Sequence, residues 1–157
     1  MVDSLAVDPS GRFLYVAGIH QGIKEVSAYA ISNGNPNGAL MVASTQFPSF
    51  PAMGVTVDPY GRYVYACLND NTVVAFSVDQ TGNLLSVGSP LPTGNSPNSI
   101  AMDFQGQYVY VTNNSSNTIS AYKIDQGTGA LTEITGAGSP FAAGTSPGSV
   151  VISGVIQ

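Results

Sequence analysis

Few side chains in this 157-residue chain are equipped for proton transfer or nucleophilic attack. His20 is the single histidine, in Gly18-Ile19-His20-Gln21-Gly22, and as a general base or metal ligand it would need a carboxylate close by. Cys67 is the single cysteine, in the apolar run Tyr63-Val64-Tyr65-Ala66-Cys67-Leu68. Without cations beside it to favour the thiolate, it reads as a small buried hydrophobe. Asp8, Asp58 and Asp103 recur in register, each three residues before a turn glycine. Aspartate there bonds its own backbone, so the row reads as turn chemistry. Arg12 and Arg62 follow the same glycines, and ion pairs with those aspartates from blade to blade are expected. His20, Asn69, Asp70, Asn113 and Asn114 form the candidate ligand-binding set, polar groups on loops that should share one face. There is no phosphate loop, no Cys/His metal spacing and no G-x-S-x-G elbow. Catalytic residues therefore stay unassigned, and neither metal nor cofactor is expected.

These residues sit in a repeating frame. Val7-Asp8-Pro9-Ser10-Gly11-Arg12-Phe13-Leu14-Tyr15-Val16 returns as Val57-Asp58-Pro59-Tyr60-Gly61-Arg62-Tyr63-Val64-Tyr65-Ala66, 50 residues on, and the pattern recurs 45 later at Met102–Val111. Ser27-Ala28-Tyr29, Val74-Ala75-Phe76 and Ser120-Ala121-Tyr122 keep step with it. So do Gly38-Ala39-Leu40, Gly82-Asn83-Leu84 and Gly129-Ala130-Leu131. Each unit reads as four short strands. The first (4–7, 54–57, 99–102) ends in the Asp turn. The second (13–17, 63–68, 108–112) alternates aromatic and aliphatic residues with period two. The third (25–31, 72–78, 118–124) follows a polar loop, and a Gly/Asn hairpin leads to the fourth (40–44, 84–87, 131–135). Four strands per 45–50 residues make the blade of a β-propeller, so the predicted fold is all-β, with antiparallel blades at about 1–49, 50–95 and 96–145. Residues 149–152 align with 99–102 and are expected to form one extra strand, the start of a further blade over 146–157.

Tyr110-Val111-Thr112-Asn113 with Ser116-Asn117-Thr118-Ile119-Ser120-Ala121-Tyr122 resembles the YVTN-type propeller repeat. Thr128-Gly129-Ala130-Leu131-Thr132-Glu133-Ile134 with Gly138-Ser139-Pro140-Phe141 resembles bacterial lactonase-like propellers, the group related to 6-phosphogluconolactonase. The resemblance implies a ring of seven blades, a bacterial periplasmic or extracellular setting, and lactone hydrolysis as one possible activity. For that chemistry His20, Glu25, Arg12 and Arg62 are the available donors. Asp103-Phe104-Gln105-Gly106-Gln107 departs from the Pro and Arg of the other two turns, and Phe47-Pro48-Ser49-Phe50-Pro51 replaces the Ser-Pro…Gly…Ser-Pro segment.

Composition narrows the function classes. Charged residues are only 8% of the chain, against about 25% in an ordinary domain. Four cations face nine acids for a net charge of −5, which excludes phosphate-led nucleic-acid binding. No apolar run reaches membrane-helix length, and no basic and apolar leader follows Met1. Three blades would leave two open end faces, so self-association as a dimer, or contact with further blades of a longer chain, is expected. The scarcity of charge favours a non-catalytic scaffold binding a protein, peptide or carbohydrate; the alternative is a sugar-lactone hydrolase.

Overall fold

The computed structural model describes residues 1–34, 38–136 and 140–153. Three antiparallel sheets account for the strands. Blade 1 holds β1 (Val2–Val7), β2 (Phe13–His20), β3 (Ile23–Ile31) and β4 (Leu40–Gln46), neighbours in that order. Blade 2 repeats the meander with β5 (Ala52–Val57), β6 (Tyr63–Leu68), β7 (Thr72–Val78) and β8 (Leu84–Pro92). Blade 3 has β9 (Pro97–Met102), β10 (Tyr108–Asn113), β11 (Thr118–Ile124) and β12 (Leu131–Glu133), while β13 (Phe141–Ala142) adds to β11. Pairing of Thr118 with Ala142 matches that of Thr72 with Pro92, so β13 continues the outer strand that β8 forms in one piece. Residues 35–37, in the first Gly/Asn-rich hairpin, and 137–139, between β12 and β13, lie outside the described residues.

The three aspartates close the turns as their position implied. Asp8 Oδ1 accepts from the amides of Arg12 and Phe13 at 2.7 and 2.8 Å. Asp58 Oδ1 accepts from Arg62 and Tyr63, and Asp103 Oδ1 from Gln107 and Tyr108, in the same way. Blade 3 thus keeps the turn without Pro or Arg, because the aspartate and the glycine suffice to close it. The arginines do not bridge blades. Arg62 pairs within its own turn, Nε to Asp58 Oδ2 at 3.3 Å, and lies over the rings of Tyr60 and Tyr63. Arg12 donates to Ser10 Oγ and covers the Phe13 ring. Four residues along a turn bring these groups together locally.

Blades join through their faces. Phe13, Tyr15, Ala17, Val26 and Ala28 pack on Val55, Val64, Ala66, Phe76 and Leu84 in the first joint. Tyr63, Tyr65, Cys67 and Val73 meet Ile100, Val109, Val111 and Tyr122 in the second. A glycine clasps an aromatic ring in each. Gly82, at φ +84°, lies so close to Phe13 that a Cβ would overlap the ring, and Gly129, at φ +78°, does the same to Tyr63. Tyr65 adds a hydrogen bond to the Gly129 carbonyl at 3.0 Å. First strands pack directly on one another, β1 on β5 and β5 on β9, whereas the outer strands diverge. The blades are therefore wedges, with β1, β5 and β9 innermost.

The segment after blade 3 differs from the expected strand. Residues 147–153 carry no ladder, so 149–152 is not a strand in the structure. Its position is nevertheless that of a first strand: Val150 N donates to Ser99 Oγ at 3.2 Å, as Val55 N donates to Ser4 Oγ at 3.2 Å. A strand needs a partner for its amides and carbonyls. Among the described residues no second strand lies beside it.

Candidate functional site

The inner strands start at one end of the wedge, and their first residues surround a cavity of about 500 Å³. Asp3 and Ser4 of β1, Met53 and Gly54 of β5, Asn98 and Ser99 of β9, and Gly148 and Ser149 line it. Four sequence-equivalent pairs thus meet at one place, although the chain separates them by about a blade each. The lining is polar, and Asp3 supplies its only ionisable side chain among the described residues. Asn98 Nδ2 donates to the Gly148 carbonyl at 3.0 Å, which leaves its Oδ1 free to accept from a ligand. Ser4 and Ser99 accept backbone amides, so each hydroxyl still has its proton to donate.

Two asparagines fix the rim. Asn71 Oδ1 accepts from the Ser96 amide at 2.8 Å, and Asn117 Oδ1 from the Ser146 amide at 2.7 Å. Both asparagines have positive φ, 66° and 57°, which suits Asn better than most residues. Each ties its turn to the loop that delivers the next inner segment, and so positions Asn98–Ser99 or Gly148–Ser149.

The residues singled out from the sequence do not gather there. His20 ends β2 opposite Ile23, exposed at the tip of a hairpin longer than its counterparts. Asn69 is exposed, its amide bonded to the Pro51 carbonyl. Asp70 accepts from Thr72 Oγ1 at 2.6 Å and lines a separate cavity of about 330 Å³ beside Phe47, Phe50 and Phe76. Asn114 donates to the Pro147 carbonyl at 3.4 Å and steadies the trailing segment. Asn113 is not on a loop: it ends β10, fully buried, with Nδ2 on Thr118 Oγ1 and Ser120 Oγ at 3.1 and 2.9 Å. Its ladder partner is Thr118, so its side chain turns inward onto Gly94. Arg12 and Arg62 lie at the far end of the blades, and Glu25 sits in β3 opposite Gly18; neither the pair nor Glu25 joins His20. Cys67 is buried at the second joint, and desolvation pushes its thiol up to about 12.

Asp3, Asn98 and the serines escaped notice because strand-starting Asp, Asn and Ser carry no chemical signature of their own. The available signal was the alignment of Asp3-Ser4, Met53-Gly54, Asn98-Ser99 and Gly148-Ser149 just ahead of the first strands.

Comparison with known proteins gives the geometry a setting. Residues 39–144 match the model of a family described as lactonase, seven-bladed β-propeller. A 6-phosphogluconolactonase of Formosa agariphila is 30% identical over 131 residues, which is 80% of this chain and 36% of that protein. A 6-phosphogluconolactonase of Klebsiella pneumoniae is 30% identical over 103 residues, 65% of this chain and 30% of that one. Among solved structures, a Bacteroides fragilis protein provisionally named 6-phosphogluconolactonase superposes with TM-score 0.73 at 28% identity, over 83% of this chain and 37% of its own. The chain spans about a third of the length of these relatives. They overturn the expectation of a non-catalytic scaffold, since the similar proteins bear the names of lactone hydrolases. That expectation rested on scarce charge and a lone histidine, whereas the polar cavity is built from hydroxyls, a carboxamide and one carboxylate.

Proposed function

The chain belongs to the seven-bladed β-propeller lactonase family, and on that premise we propose that it forms part of a hydrolase that opens sugar-acid lactones. The observation that supports this reading is the cavity at the starts of β1, β5 and β9, where Asp3 stands among neutral hydrogen-bonding groups. Ring opening needs water activated against the lactone carbonyl and a place for the charge that develops on its oxygen. In this reading the Asp3 carboxylate accepts a proton from water as the water oxygen bonds to the carbonyl carbon. The Ser99 and Ser149 hydroxyls donate towards the resulting oxyanion. Collapse restores the carbonyl and breaks the bond to the ring oxygen, which takes up the proton and leaves an open-chain hydroxy acid. Asn98 Oδ1 and the Ser4 hydroxyl serve the sugar's own hydroxyls.

Ring completion belongs to the same proposal, because Leu5, Val7, Leu40 and Val42 of blade 1 stand exposed where a neighbouring blade would cover them. Light scattering tests for a second copy: twice 16.1 kDa would support association, and a folded species at 16.1 kDa would oppose it.

The activity test is a pH-stat measurement on a panel of aldonolactones, corrected for spontaneous opening. The purified chain should exceed buffer, and Asp3→Asn should lower kcat about 100-fold or more with an unchanged melting temperature. Folded protein with no rate above buffer, or an Asp3→Asn variant as fast as the parent, would defeat the proposal.

A further inference from the structure

The cavity of about 330 Å³ beside Asp70 lies between blade 2 and the connection from β4 to β5. That connection is Phe47-Pro48-Ser49-Phe50-Pro51, whereas the next one along the chain, Thr93-Gly94-Asn95-Ser96, is polar. There the amides of Asn95 and Ser96 donate to Ser116 Oγ and Asn71 Oδ1. Blade 1 places two phenylalanines instead, and both stay open to solvent, Phe47 at 66% and Phe50 at 45%. Both border the cavity, together with the buried Phe76 of β7. Asp70 is the one ionisable side chain that lines it among the described residues. We propose that this cavity is a binding site for a small organic cation, a quaternary ammonium carried on an apolar stem.

Neighbouring elements build the walls. The Pro51 carbonyl accepts from the Asn69 amide at 2.9 Å, which anchors the aromatic connection beside the turn that carries Asp70. Pro48 and Pro51 restrict the backbone of that connection, so a ligand has little order left to impose. Thr72 Oγ1 donates to Asp70 Oδ1 at 2.6 Å and sets the carboxylate, while Oδ2 has no partner among the described residues. On the other side β8 bulges. Val73 pairs with Leu91 and Ala75 with Val87, so Gly88, Ser89 and Pro90 face Val74 alone. Those three residues line the cavity.

Rings alone would suit any hydrophobe, and the carboxylate among them selects a cation. A cation over an aromatic face gains roughly two- to thirty-fold in affinity. A carboxylate about 4 Å away adds roughly five-fold even through water. A quaternary ammonium donates no hydrogen bond and loses none on leaving water, whereas a primary ammonium would need acceptors for three N–H groups. Phe50 already draws one cation from within the chain. Lys24 of β3, outside the cavity lining, holds its ammonium 5.5 Å from the ring centroid and donates to the Ser49 carbonyl at 2.7 Å.

Calorimetry on the whole chain tests the site with choline and with 3,3-dimethylbutan-1-ol, in which carbon replaces the charged nitrogen. Choline should bind at least ten-fold more tightly than the alcohol. Asp70→Asn keeps an oxygen for Thr72, and Phe50→Leu keeps an apolar side chain. Each should weaken choline binding about five-fold or more, with the melting temperature of the free protein unchanged. Asp3→Asn should leave choline affinity as it was. No heat from millimolar choline, equal affinity for the alcohol, or loss of binding in Asp3→Asn rather than in Asp70→Asn would overturn the proposal. Should Asp70→Asn fail to fold, the choline-to-alcohol ratio and Phe50→Leu decide. None of these readouts involves lactone opening, so the hydrolase reading stands or falls separately.

Discussion

Gly129 presses on Tyr63 so closely that a Cβ would sit 2.8 Å from the ring's Cγ, while the Tyr63 hydroxyl donates to the Gly127 carbonyl at 2.9 Å. Gly38, the equivalent glycine of blade 1, has a similar positive φ of 79°, but a methyl group added there would meet nothing within 4 Å among the described residues. The two positions separate backbone cost from packing cost. Gly38→Ala should cost about 1 kcal/mol, the penalty of a left-handed conformation for an L residue. Gly129→Ala adds overpacking and should cost roughly 2–4 kcal/mol, read from urea unfolding. Equal losses would show that the clasp contributes nothing beyond its φ.

A second comparison concerns Tyr15 and Tyr65, which occupy the same position in successive blades. The Tyr65 hydroxyl has the Gly129 carbonyl at 3.0 Å, whereas the buried Tyr15 hydroxyl has no partner among the described residues. Tyr65→Phe should destabilise by about 1 kcal/mol, and Tyr15→Phe should be neutral or stabilising. Melting temperatures of the two variants, side by side, check the contrast.

Acid stability follows from Asp8. Burial raises its pKa, but hydrogen bonds from Ser10 Oγ and from the Phe13, Arg12 and Ser10 amides outweigh burial and hold it below the ordinary value. The unfolded chain then binds the proton first as pH falls. Stability from this group is complete above the unfolded pKa of about 3.9 and disappears as pH drops through the lower folded value. Asp8→Asn should therefore flatten the slope of unfolding free energy against pH below about 4. An unchanged slope would contradict the assignment.

Cys67 supplies a probe of the second joint. Its thiol is fully buried and its pKa raised by desolvation, so an aromatic disulfide reagent at about pH 8 should not label native protein. Labelling should appear with the same urea midpoint as loss of β-sheet circular dichroism. Rapid labelling without denaturant would mean that the blade 2–blade 3 joint opens readily.

The strands and turns could be read from the sequence because their causes are local. Alternation over Tyr63–Leu68 sets one strand, and Asp58 with Gly61 sets its turn, within a dozen residues. The cavity could not, since Asp3, Asn98 and Ser149 acquire their meaning only when four inner segments converge. Asn113 shows the limit at the scale of one residue. A single further ladder pair, to Thr118, turns an apparent loop asparagine into a buried one. Residues 149–152 show the opposite limit, strand-like in sequence but with no ladder partner among the described residues.

The glycine–aromatic clasp also bears on how such a chain is inherited. Phe13 with Gly82, and Tyr63 with Gly129, draw the two halves of each joint from consecutive repeats. A duplication that starts anywhere in one repeat and stops at the same point in the next copies one ring and one glycine. The inserted blade then finds a glycine for its ring and a ring for its glycine, whichever point the break chose. Whole blades can be gained or lost in this way without any compensating change in their neighbours.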